Sequence, residues 1–187
     1  MSMVDKILCF EYLLYRMIDW YRELRPEEDY NSVIGDFSRL KSLKLLFFVS
    51  TVGLFDEKGL LDIFTRFCAM QHGPVESDIY DAMVSNKTEI FDFNDRKTIL
   101  KKIEKREIIQ IFQNNIDPQT LERLNAAILL LREENPDIVT YTPFHLVDIS
   151  HKWKVWRNTF DFAIFIGRRS ELMNMRDVLS KDDMYFK

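Results

Sequence analysis

The sequence predicts a mainly α fold: a compact multi-helix single domain over residues 1–187, with room for one small β element at 88–93 or 162–166. Three observations carry this. Glycine and proline number only 5 each in 187 residues, whereas phenylalanine reaches 15, so breakers are few and large apolar side chains many. Apolar residues recur at i, i+3, i+4 and i+7 over most of the chain. Asp117-Pro118 and Thr142-Pro143 each join a capping side chain to a proline suited to the first helical position.

The elements follow in order. Val4 to Leu24 is a predicted helix, with Ile7, Leu8, Leu14, Ile18 and Tyr21 on its apolar side and Arg16, Asp19, Arg22 and Glu23 on its polar side. Pro26 ends it by disfavouring helical angles at Arg25. Residues 30–36 are a loop. Ser38 to Gly53 is a helix apolar most of the way round, which places it at the centre of the assembly. The turn Asp56-Glu57-Lys58-Gly59 closes it, and Leu60 to Met70 forms a third helix. Gly73-Pro74 makes a sharp corner into a fourth helix running through Val84, with Val75, Ile79 and Met83 on one face.

Ile90, Phe91 and Phe93 lie in a polar stretch and form a short extended segment. Helical spacing returns from Arg96 to Phe112, then from Pro118 to Glu134, and again from Pro143 to His151. Trp153, Trp156 and Phe160 continue at helical spacing, Phe162 to Ile166 is apolar enough for a short strand, and a last helix runs from Ser170 through Leu179. Residues 181–187 fray. The predicted core includes Leu46, Phe47, Val49, Phe64, Phe67, Ile79, Leu124, Ile128, Leu146 and Trp156.

Composition bounds the function. With 47% hydrophobic and 30% charged residues the chain is globular. No run approaches the ~18 apolar residues of a membrane span, and charges at Asp5, Lys6, Glu11 and Arg16 argue against a signal peptide. Cys9 and Cys68 read as free, buried thiols in a reducing cytoplasm. A net charge of −4 speaks against a nucleic-acid partner.

Three constellations have chemical interest. Cys68, His72 and Glu76 stand four apart, but Gly73-Pro74 breaks any helix between His72 and Glu76. An activated Cys–His pair is therefore outweighed by a core thiol and an imidazole at a helix end. His145, Asp148 and His151 are spaced by three, which offers too few ligands for a structural zinc site. Lys97, Lys101 and Lys105, within a cluster that also holds Arg96, Lys102 and Arg106, align at i, i+4 and i+8 on the predicted helix. A solvated face is the better reading, because Glu104 and Glu107 interrupt it. Arg168-Arg169 is a smaller feature of the same kind.

The pattern Phe67-x-Ala69-x-x-x-Gly73-Pro74-Val75-x-x-x-Ile79-Tyr80 resembles the central motif of the SocA-like antitoxin family, also called the Panacea domain. Upstream, Lys44-Leu45-Leu46-Phe47-Phe48 resembles the family's Lys-Leu-Leu-Tyr-Tyr helix, and downstream Ser150-His151 followed by Trp156 resembles its Ser/Thr-His…Trp segment. The three pieces span Lys41 to Trp156 in the family's order; Phe47-Phe48 replace tyrosines, and Met70 stands where the family often has tryptophan. The resemblance implies a non-enzymatic protein without cofactor or metal, which binds a toxin encoded beside it. A SocA-like member can instead act as an adaptor that delivers its toxin to a protease, and the family includes phage-associated proteins. Partner contacts are then expected at the loosely covered ends, residues 1–35 and 165–187. Tyr12, Tyr15, Trp20 and Tyr21 crowd one helix and are expected not all to face inward, which makes them candidate anchors.

Overall fold

In the computed structural model, helix α1 (Met3–Leu24) starts at a capping box made by Ser2 and Asp5. The structure describes residues 2–55, 59–94, 96–101, 103–178 and 183–187. Helix α1 packs against α2 (Tyr30–Asp36), α3 (Arg39–Thr51), α4 (Ser77–Val84), α5 (Lys105–Asn115) and α6 (Pro118–Glu134). Enclosed on so many sides, it buries even Lys6 and Glu11. The Glu11 carboxylate accepts the N–H groups of Glu89 (2.9 Å), Ile90 (2.8 Å) and Phe91 (3.0 Å). Burial raises its pKa, and the three amides oppose that rise.

The stretch expected as a loop at 30–36 is α2, because Asp29 caps the Ser32 N–H and Val33 and Ile34 find the core. Helix α3 is as central as its composition predicts: every side chain from Lys41 to Thr51 is buried.

The largest correction concerns 60–76. No third helix forms there. Turns lead into β1 (Phe67–Met70), which pairs antiparallel with β2 (Gly73–Glu76) from Met70↔Gly73 to Phe67↔Glu76. Phe67 and Ala69 are buried while Cys68 and Met70 are half-buried, the period-2 signature of a strand. Four residues are too few to show it against a helical template. Pro74 is tolerated because β2 is an edge of its sheet, whose order is β2-β1-β5 with β5 at Glu171–Leu172. The chain enters α4 from a strand, with Glu76 as its cap.

A second hairpin, β3 (Phe91–Phe93) with β4 (Thr98–Leu100), replaces the expected helix start at Arg96. Asn94 Oδ1 accepts the N–H groups of Arg96 (2.9 Å) and Lys97 (2.8 Å) and turns the chain. Lys97 and Lys101 therefore share no helix face with Lys105; Lys102 lies outside the described residues.

Helices α6, α7 (Pro143–His151) and α8 (Lys154–Phe165) start at their predicted caps or spacings. Helix α8 continues through Phe162, so no strand forms at 162–166. Beyond it come β5 and a 3-10 turn at Met175–Asp177 instead of a last helix. The expected turn at Asp56-Glu57-Lys58, the expected helix end at Leu179, and residues 181–182 of the expected frayed tail lie outside the described residues. Residues 183–187 dock: Phe186 packs on Phe48 and Trp153, its carbonyl accepts from Asn135 Nδ2 (2.6 Å), and Tyr185 O accepts from Trp153 Nε1 (2.8 Å). All ten predicted core residues are buried.

Candidate functional site

The residues singled out in three separate pieces of sequence meet around one buried amine. Lys44 projects from the middle of α3 and is 0% exposed. Its Nζ donates to the Pro74 carbonyl on β2 at 2.6 Å. Gly73, one residue earlier, has φ 90, and a Cβ there would lie 3.1 Å from Lys44 Cε and Nζ and collide with Ser150 Oγ. Ser150, on α7, turns its hydroxyl to Val147 O at 2.8 Å. Gly73 thus serves both backbone angle and space, since strand, lysine and serine come together only where no side chain intervenes.

Beside this knot, His151 stacks on Trp156 with ring centroids 3.8 Å apart and planes 7° from parallel. Trp156 stacks in turn on Phe160 and donates its Nε1 to Met70 O at 3.0 Å, so α8 is tied to the end of β1. Burial, then the nearby Lys44 charge, lowers the His151 pKa, which favours neutral imidazole. On the other side of the hairpin, the buried Glu76 carboxylate takes Lys6 Nζ, the Arg66 N–H (3.1 Å) and the Ile79 N–H (2.9 Å). Asp78 adds Lys6 (2.8 Å) and Arg66 (3.0 Å).

Burial brings the Lys44 ammonium down to about 7 from 10.5. Between those values the unfolded chain holds a proton that the folded chain has released, so this residue makes stability rise with pH across the window. Below the lower value both states are charged, and the full penalty of burying the ammonium applies. Relative to Lys44→Met, the native chain should therefore gain about 2 kcal/mol between about pH 6.5 and about pH 9. Urea unfolding of both chains at the two pH values measures this; a stability difference independent of pH would mean that Lys44 does not titrate there.

Of the predicted motif residues, Phe67, Ala69 and Val75 line the hairpin that carries Gly73 and Pro74. Tyr80 stands apart on α4, 37% exposed beneath the Arg39 guanidinium. The aromatic anchors of α1 are a correction. Tyr15, Trp20 and Tyr21 are all buried and Tyr12 is half-buried, because so many elements surround α1. Trp20 Nε1 donates to Pro136 O (3.1 Å), Tyr12 to Asn125 Oδ1 (2.8 Å), and Tyr21 to the Glu28 carboxylate (3.2 Å).

The chemical constellations are dispersed. Cys68 sits on β1, His72 in the exposed hairpin loop, and Glu76 inside its ion pair. Cys68 is half-buried rather than fully buried, and burial raises its thiol pKa. His145 lies against Tyr141, while His151 faces Trp156. Among the described residues no three His, Cys, Asp or Glu side chains converge to hold a metal. No helix there is long and apolar enough to cross a membrane.

The model of the antitoxin SocA-like family, Panacea domain, matches residues 43–157, more than half of the 187-residue chain. The chain belongs to this family. No curated protein and no solved structure matches it. The Panacea match takes in Lys44, the Gly73-Pro74 hairpin, Ser150-His151 and Trp156. It leaves out α1, α2 and the chain from Asn158 onward. Membership in an antitoxin family gives this Panacea domain a toxin as its kind of partner.

Proposed function

We propose that this Panacea domain neutralises a neighbour-encoded toxin by binding it directly, as a cytoplasmic, non-catalytic protein. One observation carries the reading: most of the residues that mark the family are turned inward, Tyr80 being the exposed exception. Lys44 and Ser150 are 0% exposed; Lys44 ties β2 to α3 through the Pro74 carbonyl, and Ser150 closes on Gly73 from α7. A cluster so enclosed builds a frame and leaves recognition to the outer surface. The raised thiol pKa of Cys68 and its separation from His72 on the hairpin agree with a protein that does no nucleophilic chemistry.

Co-expression with the adjacent gene tests this. That gene alone should arrest growth, and this chain should restore it while both proteins co-purify. A neighbour that is harmless, or that stays toxic while the Panacea domain is abundant, refutes the proposal. If growth is restored, the fate of the toxin separates two mechanisms. Persistence in a stable complex means blocking by occupancy, and loss only when a protease is present means delivery by an adaptor.

A further inference from the structure

A groove runs between α1, α5 and α6. Its first part is a cleft of about 600 Å³ in which Leu129 stands exposed over the buried Trp20 and Ile128. A second cleft of about 400 Å³, with Tyr12, Ile109 and Phe112, continues it and shares Arg16, Asp19, Lys105 and Asn125. Leu129 is 60% exposed, and Ile109 is exposed as well. The Tyr15 hydroxyl in the second wall is buried without a hydrogen-bond partner.

The charges around this apolar surface are unbalanced. Arg16, Arg22, Lys105 and Arg132 face two acids, Asp19 and Glu23, a local balance of 4 − 2 = +2 on a chain of net −4. Arg132 pairs with Glu23 at 2.7 Å and lies over the Trp20 ring. Arg22 rests on the Tyr30 ring, and Arg16 bonds Asn125 and the Tyr12 hydroxyl. Among the described residues, no carboxylate forms an ion pair with Arg16, Arg22 or Lys105. From Tyr12 to Glu23 the α1 wall advances 23 − 12 = 11 residues, about 17 Å at the helical rise, the length of about three turns of a second helix.

We infer that this groove receives an amphipathic helix of the toxin, with an apolar stripe about three turns long flanked by Asp and Glu. The inference rests on the direct-binding reading above. Walls made of helices, an apolar base and an unmatched cationic rim suit a helix laid in a groove, with the apolar stripe giving affinity and the carboxylates giving register. Recognition would then fall on α1, which the family match does not reach, and on exposed positions of α5 and α6.

The test uses the full chain and the purified product of the adjacent gene. Leu129→Asp changes an exposed wall, and Arg22→Glu with Lys105→Glu reverses the rim. Phe165→Asp, on the last turn of α8 where Phe165 is 86% exposed, changes an exposed apolar side chain outside the groove. Unchanged urea midpoints show that each variant is folded. The groove variants should each weaken association by about tenfold or more and lose growth rescue. The charge-reversed chain should also lose most of the salt dependence seen with the native chain. Phe165→Asp should bind and rescue as the native chain does. If the native chain binds and rescues and the groove variants do so equally, or if Phe165→Asp alone abolishes both, the groove assignment is wrong and direct binding stands. If the native chain neither binds nor rescues, both fall.

Discussion

Gly73→Val should be among the most damaging single substitutions in this chain, lowering stability by about 2–6 kcal/mol. Two costs add. A β-branched residue is forced to φ 90, which side chains other than hydrogen rarely accept. Its Cβ is also driven into Ser150 Oγ and toward the buried Lys44 amine. Domains of this size carry roughly 5–15 kcal/mol in all, so the variant stands near the limit of folding. The two costs separate in a cycle. Gly73→Ala should be milder by about 1 kcal/mol when Ser150→Ala has removed the hydroxyl, and what remains is backbone strain and the close approach to Lys44. Urea unfolding of the four chains gives the coupling. No coupling would show that the Ser150 hydroxyl sets no limit at Gly73, and a Gly73→Val chain as stable as the parent would falsify both costs.

Glu76→Ala should cost about 3–5 kcal/mol. The carboxylate is 0% exposed and makes three bonds that nothing else replaces. Its loss leaves Lys6 with Asp78 alone, orphans the Arg66 and Ile79 N–H groups, and removes the cap of α4. Glu76→Gln keeps the shape and one acceptor, and should cost about 1–3 kcal/mol. Chemical denaturation with a constant slope against urea is the measurement. An alanine variant within about 1 kcal/mol of the parent would mean that water reaches Lys6 and the helix start.

Both residues were visible in the sequence, though for partly different reasons. Gly73-Pro74 was legible as a corner, and its neighbours as a family motif, yet the corner joins a strand to a strand. Glu76 stood out for its spacing from Cys68 and His72, and it is the cap of α4. Its bond to Lys6 spans 70 residues and left no local trace. The same holds for the basic run at 96–106: helical spacing aligned Lys97, Lys101 and Lys105, but an asparagine turn and β4 occupy the first part.

What the sequence determined by itself is what short-range chemistry decides. Asp117-Pro118 and Thr142-Pro143 start helices because capping and a preset φ act within four residues. Leu46 and Phe47 are core because their helix is apolar most of the way round, and Leu124 because one face of its helix must leave water. The ordered motif pieces sufficed to indicate the family. Other features depend on partners far along the chain. Strand β1 exists because residues 73–76 and 171–172 supply its hydrogen bonds. Lys6, Glu11 and Lys44 are buried because a carboxylate, three amides and a carbonyl wait for them in other elements. The tyrosines of α1 are wholly or half buried because five other α-helices and the 3-10 turn at Ile138–Thr140 leave that helix little outside. A polar side chain carries no record of its partner, so periodicity assigns it to water until the fold brings the partner to it.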